Sequence, residues 1–175
     1  MTTLLHDAGE TKMIHPSMHP NALPSLFLAD ADAADERLWV PTGEGVAFRP
    51  LFLSASQGYW TTVARVRRSG IISRHRHVGA VHGHTLKGSW RYLEYDWVAQ
   101  SGSYIFEPPG DVHTLVVDAD MGEMMTIFQI HGAMVYLDDA GAVAAVEDVF
   151  TRIDQCRKHF EAVGLGGDFV NQFIR

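Results

Sequence analysis

The chain has 175 residues, of which 46% are hydrophobic and 20% are charged, and these values are typical of a globular protein with one domain. Its formal net charge of −7, without any continuous basic stripe, argues against a nucleic-acid partner. The single cysteine, Cys156, excludes an internal disulfide and a zinc site built on thiolates.

Residues 1–37 are rich in Pro, Asp, Ala and His and show little periodicity, so we expect an N-terminal arm whose histidines lie in solvent. This segment lacks the basic region and the apolar stretch of a signal peptide. No apolar run in the chain approaches the roughly 20 residues that a membrane span requires. We therefore expect a cytoplasmic protein without a membrane partner.

Residues 38–137 contain short stretches rich in β-branched and aromatic residues, separated by clusters of Gly, Pro and Asp. The strands predicted from these stretches are 47–53, 59–67, 73–77, 84–86, 89–97, 103–106, 113–117, 124–130 and 133–137. Many short strands at close spacing indicate a sandwich or barrel and not a parallel sheet with crossover helices.

After residue 137 the hydrophobic period changes from that of strands to that of a helix. Apolar residues such as Val149, Ile153 and Phe160 recur at helical spacing and predict an amphipathic helix over 144–163, which Gly164 ends. We expect residues 138–175 to form a C-terminal helical segment that packs on the outside of the β-structure.

Three histidines in the strand region have the pattern of metal ligands. His75 and His77 are two residues apart in a predicted strand, so both imidazoles lie on one face while Arg74 and Arg76 point the other way. His113 begins another strand directly after the tight turn at 108–111. Three imidazoles on one side of a metal leave its other side open for water or substrate.

Around these histidines the sequence resembles the two-part cupin signature. The first part matches at His75 and His77, with Gly70 and Gly88 each about one residue out of register. The second part matches at Gly102, Pro108, Gly110 and His113, with Val117 in place of the final Asn. The resemblance implies an all-β fold, namely a cupin double-stranded β-helix (jelly-roll barrel) over 38–137 with an N-terminal arm and a C-terminal helix.

The glutamate of the first signature part is absent, and His82 stands in its place. Cupins without that glutamate include three-histidine dioxygenases that cleave carbon–carbon bonds, and residues 75–82, 88–94 and 106–110 resemble the 2,4'-dihydroxyacetophenone dioxygenases. The resemblance implies conversion of the aryl hydroxyketone and O2 to 4-hydroxybenzoate and formate. Since dioxygen chemistry needs a redox metal, the expected cofactor on His75, His77 and His113 is Fe(2+).

Two further residues are candidate catalytic groups. Glu107 either hydrogen-bonds a ligand imidazole or serves as the base that deprotonates the substrate. Its strand parity is opposite to that of Phe106, and the sequence leaves open which of the two faces inward; a solvated Glu107 is the other interpretation. His82 is a fourth ligand, a hydrogen-bond donor near the metal, or a loop histidine.

The candidate substrate contacts are Arg91, Tyr92, Tyr104, Trp60 and Phe128, although each aromatic ring is also a candidate core residue. The expected partners are a small aromatic ketone and O2, and exposed sheet edges favour a homodimer. Two alternatives to the dioxygenase remain open, because cupins host many activities. One is another metal-dependent cupin enzyme, such as a β-diketone dioxygenase or an isomerase. The other is a non-enzymatic cupin that senses a metal or ligand.

Overall fold

The computed structural model describes residues 19, 21–120 and 122–175. Most of its secondary structure consists of β-strands. Within that part of the chain there are twelve β-strands. They are β1 Val40–Gly43, β2 Val46–Ser54, β3 Tyr59–Val66, β4 Gly70–His77, β5 Val81–Lys87, β6 Ser89–Tyr92, β7 Ala99–Gln100, β8 Tyr104–Glu107, β9 Val112–Val117, β10 Met124–His131, β11 Ala133–Leu137 and β12 Val143–Asp148. Most of the predicted arm, including His6 and His15, lies outside the described residues.

The strands form two six-stranded antiparallel sheets, in the orders β1-β2-β3-β10-β5-β8 and β12-β11-β4-β9-β6-β7. Neighbouring strands are often distant in sequence, as where β10 lies between β3 and β5, and this is the connectivity of a jelly roll. The apolar core includes fully buried residues of both sheets, such as Trp60 and Trp90. The predicted all-β cupin fold is confirmed.

The segment before β1 packs on the outer face of the first sheet. A short 3₁₀ helix, Glu36–Leu38, precedes β1, and the Trp39 side chain next to it is buried against Val63 and Met125. The Arg65 guanidinium lies 3.9 Å from the centre of a Trp39 ring and pairs with Glu36. This contact anchors the end of the predicted arm to the sheet.

The helix α1 spans Val149–Ala162, so the predicted start at residue 144 was wrong. Residues of β12 pair with β11 in an extended conformation, and the helix begins only after Asp148. The Asp148 side chain accepts a hydrogen bond from the Thr151 backbone, and the Thr151 hydroxyl accepts one from the Asp148 backbone. This reciprocal capping box fixes the start of α1.

A second 3₁₀ helix, Gly167–Phe173, follows α1 and packs against it. None of the helices in the described part of the chain has the length and apolar character required to cross a bilayer.

One predicted strand is shorter in the structure than expected. The sequence predicted a strand over 89–97, whereas β6 ends at Tyr92.

Candidate metal centre

The pairing of β4 with β9 brings the three predicted ligand histidines together. His75 lies directly opposite His113 in the antiparallel register. His75 and His77 are buried, whereas Arg74 and Arg76 between and before them are exposed, as strand alternation requires. Three imidazoles therefore face the inside of the barrel from two adjacent strands.

The distances between the imidazole nitrogens fit a single metal ion. The Nε2 atom of His75 is 3.0 Å from that of His77 and 3.1 Å from that of His113. Nitrogen ligands bound at right angles to one ion at about 2.0–2.1 Å lie about 3 Å apart. These three histidines are the only group of metal-type ligands that converges in this way among the described residues.

The Glu107 carboxylate lies beside two of these imidazoles. Its side chain is 3% exposed, and its Oε2 atom lies 3.0 Å from His77 Nε2 and 3.4 Å from His113 Nε2. Its Oε1 atom accepts a hydrogen bond of 2.7 Å from the Tyr92 hydroxyl. Oε2 has no hydrogen-bond partner within the described part of the chain. A buried carboxylate oxygen left open beside three imidazole nitrogens is suited to a divalent cation.

Asp111, Tyr95 and Tyr92 hold His113 in place, and the sequence predictions gave no role to Asp111 or Tyr95. Its Nδ1 atom lies 3.2 Å from Asp111 Oδ2. Because a carboxylate only accepts, this contact places the imidazole proton on Nδ1 and leaves the Nε2 lone pair free for a metal. The Tyr95 hydroxyl donates to Asp111, and the Tyr92 ring stacks on His113 with ring centres 3.6 Å apart. The sequence feature that could have indicated Asp111 is its position two residues before His113, directly ahead of β9.

Two of the three imidazoles, those of His75 and His113, are in an environment that favours their neutral form. Burial lowers the pKa of His75 well below its ordinary value, and the neighbouring His77 and His113 lower it further. Burial also lowers the pKa of His113, although Glu107 opposes this effect. Since only the neutral imidazole binds a metal, both shifts keep the ligands available at neutral pH.

The turn between β8 and β9 positions Glu107 and His113 on either side of it. Gly110 takes a φ of 89°, a conformation that other residues rarely adopt. Its backbone N–H donates to the carbonyl of His77, and the N–H of His77 donates to the carbonyl of Asp111. The turn is thus bound to the end of β4, the strand that carries the other two histidines.

A cavity of about 110 Å³ adjoins His75, His77 and Glu107. Tyr92 and Phe128, both predicted as substrate contacts, line it. Most of the remaining wall is apolar and consists of Val46, Phe48, Ala64, Val66, Ile72, Leu115, Met124, Ile130 and Met134. A cavity of about 150 Å³ accepts benzene in another protein, so this smaller space suits a ligand no larger than one ring or a short chain.

Two predicted substrate contacts do not reach the cavity. Trp60 is fully buried in the core and is not part of the cavity wall. Arg91 lies on the face of β6 opposite to Tyr92, where its Nε atom is 3.3 Å from Asp118 Oδ2. Arg91 does not line the cavity, because neighbouring strand residues point to opposite sides.

His82 and Tyr104 lie on the outer face of the first sheet. His82 Nδ1 is 2.8 Å from the Tyr104 hydroxyl, and the Tyr104 side chain is 55% exposed. Val81 and Gly83 take the inward positions of β5 instead. His82 therefore lies in a strand, not a loop, and neither His82 nor Tyr104 lines the cavity beside the three histidines.

Comparison with known families identifies the domain. The model of the ChrR cupin-like domain matches residues 30–135. A search of curated proteins finds no match.

Solved cupin structures superpose on most of the chain. An RmlC-like cupin protein from Ralstonia eutropha JMP134 is 30% identical, with a TM-score of 0.69 over 73% of this chain and 83% of that chain. A protein of unknown function with a cupin-like fold from the same organism is 25% identical, with a TM-score of 0.66 over 69% and 75% of the two chains. An acetylacetone dioxygenase from Acinetobacter johnsonii is 19% identical, with a TM-score of 0.67 over 84% and 99%. This last likeness concerns the fold alone.

Proposed function

This chain belongs to the family of ChrR cupin-like domains, and we propose that it is an iron(II)-dependent dioxygenase that cleaves a carbon–carbon bond of a small aryl hydroxyketone. The observation that carries the proposal is the convergence of three histidine nitrogens beside a small apolar cavity, with an open carboxylate oxygen next to two of them. The proposed reaction converts 2,4'-dihydroxyacetophenone and O2 to 4-hydroxybenzoate and formate. A solved structure with the same fold is a dioxygenase for acetylacetone, another small oxygen-chelating ketone.

Different residues of the chain have different roles in this proposed reaction. When bound to His75, His77 and His113, iron(II) would supply the one-electron chemistry that dioxygen requires and polarise the ketone oxygen. We assign to Glu107, whose Oε2 atom lies 3.0 Å from His77 Nε2, the role of accepting the proton that the substrate loses next to its carbonyl group. Tyr92 holds the other carboxylate oxygen and so fixes the direction of this base. The apolar wall of the cavity keeps water away from the reacting atoms.

Anaerobic reconstitution with iron(II), followed by O2 uptake, tests the proposal. We expect uptake with 2,4'-dihydroxyacetophenone, and one formate formed for each O2 consumed. The β-diketone pentane-2,4-dione is the comparison substrate. Failure of the iron-loaded protein to consume O2 with either compound would exclude the proposed activity.

Two histidine variants make the test specific for the site. His113→Ala should lose both iron and O2 uptake, because it removes a buried ligand. His82→Ala removes an imidazole from the outer sheet face and should keep both. Equal behaviour of the two variants would contradict the assignment of the site.

The fourth donor also favours a second candidate, a non-enzymatic cupin that holds zinc. Three histidine nitrogens and the nearby Glu107 Oε2 together offer four donor atoms, which is the number that zinc takes in tetrahedral sites. Metal analysis of the purified protein separates the two functions. Stoichiometric zinc that resists chelators, together with no O2 uptake by the iron form, would establish this alternative.

A further inference from the structure

The cavity beside the histidines continues into a second recess at the surface of the barrel. The recess has a volume of about 270 Å³, and it shares part of its wall with the cavity. The shared residues are Thr42, Val46, Ile72, Ser73 and Tyr136. Because the two spaces have these residues in common, they lie end to end, and we call the shared residues the neck.

The neck is the part of the cavity wall that solvent reaches. All of its residues are partly or fully exposed, whereas most of the other wall residues, such as Leu115 and Met134, are buried. The first two neck residues lie on β1 and β2 of the first sheet, and the other three lie on β4 and β11 of the second sheet. The barrel is therefore open between its two sheets at this point.

The neck is next to one of the three ligand histidines. The Ser73 hydroxyl is 3.1 Å from His75 Nδ1, and the Tyr136 ring centre is 5.9 Å from that of His75. Ile72 precedes Ser73 on β4, and its half-buried side chain lines both the cavity and the recess. A ligand that passes the neck therefore arrives beside His75.

The volumes of the two spaces indicate how a larger ligand lies in them. Benzene occupies a cavity of about 150 Å³ in another protein, and an aryl ketone has more atoms than benzene, so it does not fit wholly into about 110 Å³. The recess offers further space with a polar wall that includes Glu44, Arg68 and Glu147. Glu147 Oε2 is already bound by Arg152 Nη2 over 2.6 Å. An apolar inner space followed by a polar outer one suits an elongated ligand whose outer end stays hydrated.

We propose that the neck is the entrance to the metal centre and that Ile72 limits the size of the ligand that passes it. The metal-binding end of a bound ligand lies beside His75, and its other end lies in the recess. The inference holds for any ligand of a bound ion. It therefore goes beyond the proposed function and does not require the proposed reaction.

The binding rates of two ligands of different size to the cobalt(II)-loaded protein test this inference. Stopped-flow absorption of the cobalt ion follows the binding of azide, a small linear ion, and of tropolone, an aromatic ring with adjacent oxygens. Ile72→Trp places a larger side chain in the neck and should lower the association rate of tropolone about tenfold or more. The association rate of azide should change by less than about threefold, because a small ion needs a narrower passage.

Two further variants at the start of β4 make the test specific for the neck. Ile71→Trp is the matched control, because Ile71 is 57% exposed and lines neither the cavity nor the recess, and both ligands should bind to it at the wild-type rates. Ile72→Ala widens the neck and should raise the association rate of tropolone about twofold to tenfold. If Ile72→Trp does not fold, as judged by thermal unfolding and cobalt content, the comparison of Ile72→Ala with the wild-type protein still decides.

The outcomes that overturn this inference differ from those that overturn the function. Wild-type rates for tropolone in both Ile72 variants, at matched cobalt content, refute the entrance. Equal slowing by Ile71→Trp and Ile72→Trp refutes it too, because the effect then comes from the strand and not from the neck. Either result leaves the dioxygenase proposal to the O2 measurement. If the cobalt-loaded wild-type protein binds neither ligand, no ligand reaches the ion, and the inference and the proposed function are both wrong.

Discussion

A carboxylate lies beside the three histidines although the first signature part lacks its glutamate. Glu107 reaches this point from β8, on a different strand from the signature position. Three neutral imidazoles alone would leave a bound ion with its full charge. The nearby carboxylate offers partial neutralisation and, at the same time, a base next to the substrate.

The substitution Glu107→Gln separates these roles from a structural one. Gln keeps the shape and still accepts from Tyr92, but it removes the open anionic oxygen. We expect O2 uptake to fall about 100-fold or more, since this is the usual effect of losing a general base. Iron binding should weaken by less than about 100-fold, so that iron is retained at micromolar protein. Uptake at the wild-type rate, measured with matched iron content, would contradict the role of Glu107.

Asp111 is expected to control the metal affinity of His113. Asp111→Ala removes the acceptor for His113 Nδ1, and metal affinity should fall about 10–100-fold, as measured by competition with a chelator. Tyr95→Phe is the matched control, because Tyr95 contacts Asp111 and stays outside the histidine cluster. The loss of metal affinity in Tyr95→Phe should be smaller than that in Asp111→Ala. Equal losses in the two variants would show that the hydrogen bond to His113 is not the cause.

Strand alternation explains which parts of the site the sequence could predict and which it could not. Alternation placed His75 and His77 together because the relative direction of residues on one strand depends only on their spacing. It did not decide between Phe106 and Glu107, since the absolute direction depends on how β8 packs. His82 matched a signature position in spacing, but its strand turns it outward.

The same limit applies to the secondary-structure elements. Strands such as β3 and β10 were predicted within one or two residues because their apolar residues alternate. The segment Val143–Asp148 contains Val and Ala at spacings compatible with a helix, and only its pairing with β11 selects the extended form. That pairing is a tertiary contact, which local periodicity does not report.

The capping box at Asp148 sets both the start of α1 and the position of Arg152 four residues later. Asp148→Ala should lower the free energy of unfolding by about 0.5–2 kcal/mol, because it leaves the Thr151 N–H without its acceptor. Urea denaturation measures this change. Asp154→Ala on the exposed side of the same helix is the control and should change stability by no more than about 0.5 kcal/mol. A smaller loss for Asp148→Ala than for Asp154→Ala would contradict the capping assignment.

The buried histidines make the stability of the metal-free protein depend on pH. Burial lowers the pKa of His75 and His113 in the folded chain, whereas each titrates near its ordinary value of about 6.5 when unfolded. Below that pH the unfolded chain binds protons that the native chain excludes, so acidification favours unfolding. The contribution of these neutral imidazoles to the free energy of unfolding is therefore present above pH 6.5. It is lost as the pH falls towards their pKa values in the folded chain.

Metal-free protein in a chelating buffer should therefore become less stable as the pH falls from 7 to 5, measured by urea denaturation. The carboxyl groups with lowered pKa values, such as Glu36 and Glu123, titrate from ordinary values of 4.5 downward and contribute mainly below this range. A double variant, His75→Gln with His113→Gln, should show most of this pH dependence removed. An unchanged slope in the double variant would assign the pH dependence to groups outside the centre, because the protons lost on folding would then not come from these imidazoles.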